Sequence, residues 1–315
     1  ALRADGATIV YISHILGEVK ALSDHLAVLR DGHLVDEGPI ERFDIPAMIN
    51  AMIGRELSAI YPARSSQPAE EVVLEADGLS QAGVVEDICF KLHRGEILGV
   101  FGLMGSGRSE LARMIFGVDP TGSGTLFMHD QPVTGDTRER IARGMAFVTE
   151  NRREEGLMMD ATISDNLSLV TIEDFGRPPV ALIDRERLKA RTEGVRDEVR
   201  IKAANIATQA ARALSGGNQQ KVVIGKWLLG APQLFILDEP TRGVDVGAKH
   251  EIYTIIDKLA ASGSAVLLIS SELEELMGTC DRILVMAQGE ITGEFAKEAF
   301  SEAAIIAAAF KEVAA

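Results

Sequence analysis

The chain has 315 residues and a formal net charge of −15, from 47 acidic side chains against 32 Lys and Arg. This length allows one sizeable core with additional elements, and the negative charge disfavours nonspecific binding to nucleic acid or anionic lipid. No apolar run reaches the roughly 18 residues of a membrane span. Two cysteines, Cys89 and Cys280, are too few for a disulfide framework, and we expect both to be buried and reduced.

The start of the chain repeats a later part of it. Residues 6–37 align without a gap with residues 263–294, and identical residues recur at one constant offset, as in Gly6 and Gly263 or Asp24 and Asp281. Repetition on the scale of a domain indicates two tandem copies. We therefore expect residues 1–60 to be the C-terminal remnant of a first copy and the chain to be a fragment.

The next segments lead to a glycine-rich loop. A short apolar helix is predicted over residues 46–60, and the Pro- and Ser-containing residues after it read as a linker. Residues 72–101 alternate and then become apolar, which predicts antiparallel strands leading into a buried strand at 96–101. A helix is predicted after the loop, because Leu111, Met114 and Ile115 recur at helical spacing.

The loop itself has the features of a phosphate cradle. Its glycines let the backbone wrap around phosphate groups, and the Ser109 hydroxyl is placed to reach Mg²⁺. Arg108 stands where this motif has Lys, and a guanidinium is a wide planar fork rather than a point charge. The alternative, a glycine-rich turn without a ligand, is disfavoured by the motifs downstream. The predicted phosphate-binding residues are Gly102, Gly105, Ser106, Gly107, Arg108, Ser109 and Glu110.

Two motifs follow further along the chain. A Ser-Gly-Gly turn at residues 215–217 opens a predicted helix, and such a turn offers backbone N–H groups to an anion. The apolar strand at 234–237 ends in Asp238 and Glu239, an arrangement that can hold Mg²⁺ and orient a water at a phosphate. We expect Asp238 to assist the metal and Glu239 to be the general base or water-positioning residue.

In this order and spacing the segments resemble the P-loop, signature and Walker B motifs of ABC-type ATPases. The resemblance implies an α/β P-loop NTPase fold, with an antiparallel β subdomain and an inserted helical subdomain at about 152–214, and it implies ATP and Mg²⁺ as cofactors. The predicted organisation is the remnant at 1–60, a linker at 61–71, a second cassette at 72–298 and a helical tail at 299–315.

The same resemblance assigns further residues. Glu150 stands where the family usually carries a Gln that senses Mg²⁺; it either keeps a role near the metal or pairs with Arg152 or Arg153. Asp245 falls in the loop that crosses to an opposing cassette. The signature residues would close over the P-loop of that opposing cassette, and they are Leu214, Ser215, Gly216, Gly217 and Gln219.

A switch histidine is predicted only in the remnant. His14 follows an apolar strand, as the histidine that contacts the γ-phosphate does in ABC ATPases. Its repeat equivalent in the second cassette is Ser271. The second site therefore lacks this histidine and has Arg108 in its cradle, so we expect the main hydrolytic site to pair this signature with the first cassette's P-loop.

Finer features resemble the second cassette of tandem-cassette ATPases from bacterial importers of ribose, galactose and xylose, notably residues 102–110, 214–221 and 240–249. That family implies ATP hydrolysis that powers carbohydrate import. It also implies two transmembrane permease subunits, an opposing ABC cassette and, indirectly, a periplasmic sugar-binding protein, at the cytoplasmic side of the bacterial inner membrane. No nucleic-acid partner is expected.

Two alternatives stay open. The departures at Arg108 and Ser271 are compatible with a non-hydrolytic regulatory module that binds nucleotide without turnover, although such a module has no need of Glu239. A cytosolic ABC ATPase that acts on ribosomes or DNA is the second alternative. The short linker and the acidic net charge disfavour it.

Overall fold

The computed structural model describes residues 6–12, 16–30, 32–53, 61–177 and 182–310. The N-terminal part is a small unit with its own apolar cluster, made by Val19, Ile40, Phe43 and Met48. Its strands β1 and β2 pair antiparallel. The unit consists of α1 (Leu16–Leu22), β1 (His25–Arg30), β2 (His33–Pro39) and α2 (Ile45–Ile53), and residues 54–60 of the predicted helix lie outside the described residues.

A six-stranded sheet forms the centre of the remaining chain, in the order β14-β13-β5-β12-β11-β8. All neighbours are parallel except β13 and β14. Every side chain of β5, β11 and β12 is buried, as expected of parallel strands covered on both faces. The strands are β5 (Ile97–Gly102), β8 (Met145–Val148), β11 (Leu234–Asp238), β12 (Ala265–Ile269), β13 (Arg282–Ala287) and β14 (Glu290–Ala296).

A four-stranded antiparallel sheet lies beside it, in the order β4-β3-β6-β7. Alternate side chains of β4 are buried, including Ile88 and Phe90. Cys89 lies between them and points outward, so the expectation that both cysteines are buried is wrong for Cys89 and right for Cys280. The strands are β3 (Val72–Gln81), β4 (Val85–His93), β6 (Ser123–Met128) and β7 (Gln131–Pro132).

The helices surround these sheets, and those at residues 163–168 and 185–198 lie in the range predicted for the helical arm. Thr162 and Asp165 make a capping box at the first helix of the arm, and Asp184 caps the second by accepting from the Arg187 N–H. A two-stranded ribbon, β9 (Gly176–Arg177) with β10 (Leu182–Ile183), was not anticipated. The helices after α2 are α3 (Arg108–Phe116), α4 (Thr137–Ala142), α5 (Ile163–Ser168), α6 (Arg185–Glu198), α7 (Gly216–Leu228), α8 (Val246–Ala261), α9 (Leu273–Thr279) and α10 (Glu302–Ala309).

The described part of the predicted tail, residues 299–310, and the predicted linker both contact the cassette. Helix α10 packs on β13 and β14 and buries Ile305 completely. Residues 61–71 form no helix or strand, yet the Arg64 guanidinium lies between Asp257 (2.7 Å) and Asp281 (2.9 Å). Among the described residues, no helix is long and apolar enough to cross a membrane.

Candidate functional site

The glycine-rich loop runs from the end of β5 to the start of α3 and has the backbone of a phosphate cradle. Gly105 (φ +80°) and Gly107 (φ +93°) adopt left-handed conformations, which side chains other than glycine's disfavour. A Cβ atom at Gly102 would lie 2.4 Å from the Ser106 hydroxyl oxygen. That buried hydroxyl has no hydrogen-bond partner among the described residues. The loop therefore holds one unpartnered hydroxyl at a helix N-terminus, where anions bind.

Two predicted metal ligands meet beside this loop. Asp238 ends β11 and is only 2% exposed. Its carboxylate is hydrogen-bonded to the Ser109 hydroxyl, while burial raises its pKa to about 6. One carboxylate oxygen, Oδ1, has no partner among the described residues. A buried, orphaned carboxylate beside a hydroxyl fits a hard cation such as Mg²⁺, which takes few protein ligands and keeps several waters.

Glu239 lies at the start of the loop after β11 and is held by two groups. Its backbone has a left-handed φ of 48°, a strained conformation for a residue with a side chain. The backbone N–H of Ser271 donates to Glu239 Oε1 at 2.7 Å, and the Arg108 guanidinium lies 3.8 Å from the same oxygen. Arg108 and Ser271, the two residues that depart from the family pattern, therefore both contact the Glu239 carboxylate.

The Arg108 guanidinium contacts the loop after β12. Its Nη1 donates to the Ser270 carbonyl oxygen at 2.7 Å, and burial lowers the pKa of the guanidinium, opposed by the nearby Glu239 and Asp238 carboxylates. Arg108 thus bridges the P-loop helix to the loop after β12. This hydrogen bond occupies Nη1, so a phosphate would have to be bound by the other N–H groups of the guanidinium or displace the Ser270 carbonyl.

Glu150 and Glu110 lie at the edge of the site. Glu150 forms an ion pair with Arg242, so the expected pairing with Arg152 or Arg153 is wrong. Arg152 instead donates to the backbone carbonyl of Arg242 at 2.7 Å. Glu110 is exposed in the first turn of α3. No group of three or more His, Cys, Asp or Glu able to hold a metal occurs in the described residues, so a role of Glu150 near the metal stays a prediction.

The signature residues form the start of α7, packed against α8. A Cβ atom on Gly217 would lie 2.3 Å from the Ala248 side chain, so glycine permits this close approach. Leu214 is buried, and its carbonyl accepts from the Gln219 side chain at 3.2 Å. The exposed Ser215 and the half-buried Gly216 begin the helix.

Asp245 and His14 complete the predicted set. The Asp245 side chain caps α8 by accepting from the Ala248 N–H at 2.9 Å, which fixes the loop that leads into that helix. His14 lies outside the described residues, so its predicted contact with a γ-phosphate stays a prediction.

Sequence reasoning missed several buried polar residues behind the site. Glu275 on α9 is 0% exposed and accepts hydrogen bonds from Thr241 and Ser270. Lys226 on α7 donates to the Gly156 carbonyl at 2.8 Å, and burial lowers its pKa to about 8. In the sequence, charged residues at these positions are typical of solvent-exposed helix faces. The only indication of a structural role was that Glu275 matches Glu18 in the repeat.

The fold and the loop together define a P-loop nucleotide-binding domain with an added antiparallel sheet and a helical arm. A solved nucleotide-free ATP-binding cassette from an ABC transporter has this fold, with a TM-score of 0.66 and 20% identity over 76% of this chain and 100% of that one. A family model described as "ABC transporter" matches residues 85–242, half of the chain. The chain belongs to the ABC transporter family.

Curated relatives are longer than this chain. The ribose import ATP-binding protein RbsA 2 of Streptomyces coelicolor is 42% identical over 309 residues, which are 98% of this chain and 59% of that protein. The corresponding RbsA of Bacillus subtilis is 43% identical over 304 residues, 96% of this chain and 61% of that protein. The chain therefore spans about three fifths of the length of the curated relatives it matches.

Proposed function

We propose that the chain is the ATP-binding and ATP-hydrolysing part of an ABC importer for a carbohydrate. The observation that carries this proposal is a phosphate loop beside Asp238 and Glu239, in a chain similar over nearly its whole length to proteins named for ribose import. The proposed partners are two permease subunits, an opposing cassette and, indirectly, a periplasmic sugar-binding protein. The proposed location is the cytoplasmic side of the bacterial inner membrane.

Each group has a proposed role in hydrolysis. The N–H groups of the glycine-rich loop and the N-terminus of α3 hold the phosphates. Asp238 and Ser109 would hold Mg²⁺, which neutralises phosphate charge when bound. Glu239 orients the attacking water or accepts its proton. Glu150 would lie near the metal, and the signature turn beginning at Ser215 would face the phosphates bound by the opposing cassette.

The first test measures Mg-ATP binding and phosphate release by this chain and by Glu239→Gln. The amide keeps the shape of the side chain and removes its basicity, so we expect the variant to bind ATP normally and to release phosphate at least about a hundredfold more slowly. Failure of the unaltered chain to bind ATP would overturn the proposal. Glu274→Gln, an exposed change of the same kind on α9, is the matched control.

A second candidate function is a nucleotide clamp without turnover, favoured by the contacts of Arg108 and Ser271 with Glu239. A clamp binds Mg-ATP, releases little phosphate and does not respond to Glu239→Gln. Steady release that the variant abolishes would exclude it.

The import function needs a test in cells. Deleting the gene in the source organism should reduce uptake of labelled ribose, galactose or xylose. Uptake of an amino acid serves as the control. Normal uptake of all three sugars would contradict an assignment to ribose, galactose or xylose import.

A further inference from the structure

A fully buried carboxylate lies behind the candidate site. Glu275 on α9 accepts a hydrogen bond from the Thr241 hydroxyl at 2.8 Å and a second from the Ser270 hydroxyl. Thr241 belongs to the loop after β11, which starts with Glu239, and Ser270 directly follows β12. All three residues are at most 1% exposed. One side chain therefore ties together the two loops that border the site.

Ser270 connects this carboxylate to the predicted catalytic groups. Its carbonyl oxygen accepts from Arg108 at 2.7 Å, and its hydroxyl also accepts from the Glu272 N–H at 3.0 Å. The next residue, Ser271, donates its N–H to Glu239. A shift of Ser270 must therefore move the partners of both Arg108 and Glu239.

On its other side the network leads to the segment between the N-terminal unit and the cassette. The Tyr253 hydroxyl is hydrogen-bonded to Thr241 and to Tyr61, and the two tyrosine rings lie 5.1 Å apart. The Tyr61 ring also packs closely against Gly278 on α9, where a Cβ atom would lie only 2.4 Å from the ring. The side chain of Tyr61 thus packs on the helix that carries Glu275.

We propose that Glu275 is a positioning residue. Its hydrogen bond to Ser270 fixes the loop at Ser270 and Ser271, and thereby the positions of Arg108 and Glu239. The packing of Tyr61 on α9 determines where Glu275 lies. The inference rests on the proposed nucleotide site. It gives the segment at Tyr61 an influence on the groups that face the third phosphate. ADP lacks that phosphate, so the preference for ATP over ADP reports this influence.

The test is the ratio of ATP to ADP affinity, measured with Mg²⁺ by calorimetry. Glu275→Gln removes the charge and one acceptor, and we expect it to reduce the preference for ATP by about three- to tenfold, while Glu274→Gln leaves the ratio unchanged. Tyr61→Phe deletes one hydroxyl and keeps the ring, and we expect a smaller reduction of about two- to threefold. Tyr11→Phe is its control, since Tyr11 is exposed and bonded to Glu18.

The outcomes separate this inference from the proposed function. A chain that binds no ATP overturns both. A chain that binds ATP, with a ratio unchanged by Glu275→Gln and Tyr61→Phe, overturns the inference alone. Equal losses of ATP and ADP affinity indicate a merely structural role and also overturn it. If Glu275→Gln does not fold, which the fluorescence of Trp227 will show, Tyr61→Phe decides.

Discussion

Replacing Arg64 tests how much the contacts of the predicted linker, residues 61–71, stabilise the cassette. The Arg64 side chain is 6% exposed and pairs with Asp257 and Asp281, whose side chains are 10% and 15% exposed. Replacing Arg64 by Ala leaves two poorly hydrated carboxylates without their cation. Breaking a buried pair in this way costs about 3–5 kcal/mol of unfolding free energy.

The matched control is Arg94→Ala. Arg94 pairs with Glu71 at 3.3 Å, and the two side chains are 55% and 48% exposed, so its loss should cost less than about 1 kcal/mol. Urea denaturation followed by the single tryptophan, Trp227, gives both values. Equal losses in the two variants would refute the reasoning.

The same pair also predicts a dependence on pH. Burial alone would raise the pKa of Asp257, but hydrogen bonds from Ser65 and the pair with Arg64 outweigh it and hold this pKa below its ordinary value. A depressed pKa contributes stability above the ordinary value, and that stability is lost as the pH falls through the folded value. The Arg64→Ala variant should therefore lose less stability on acidification than the unaltered chain.

Three further predictions concern the site. Arg108→Lys removes the hydrogen bond to the Ser270 carbonyl, so ATP affinity measured by calorimetry should rise roughly tenfold; an unchanged affinity would contradict this. Gly217→Ala should destabilise by about 1–3 kcal/mol in urea, because its Cβ would meet Ala248, whereas Gly194→Ala on α6, in open space, should not destabilise. Burial raises the pKa of Glu275 to about 7. The unfolding free energy should therefore fall as the pH rises from about 4.5 to 7, by up to about 3 kcal/mol. Glu275→Gln should abolish this pH dependence.

The sequence predicts the elements that local pattern determines. The apolar runs that became β5, β11 and β12 could be assigned because buried parallel strands are apolar throughout. The glycines of the phosphate loop could be assigned because their spacing reflects backbone conformations that glycine favours. These two patterns predict an α/β fold with a phosphate loop and place Asp238 and Glu239 at a strand end, whereas the ABC-type subdomains were expected from the family resemblance.

Contacts between distant residues could not be predicted. The turn of Arg108 toward Ser270, the pairing of Glu150 with Arg242 and the burial of Glu275 each depend on how strands and helices cross. Periodicity identifies the face of an element but not the partner opposite that face. The ranges predicted for remnant, linker, cassette and tail stay predictions, although Arg64 fixes the predicted linker to the cassette.

The exposed segment near the start of the chain has a consequence for work in solution. Val10 is 85% and Ile12 92% exposed, whereas the residues they match in the repeat, Leu267 and Ile269, are buried in β12. An exposed, uncharged, β-branched run is a template for pairing between molecules. Self-association of the chain should therefore depend on concentration, and Ile12→Lys should suppress it, because a charge on such a run opposes intermolecular strand pairing.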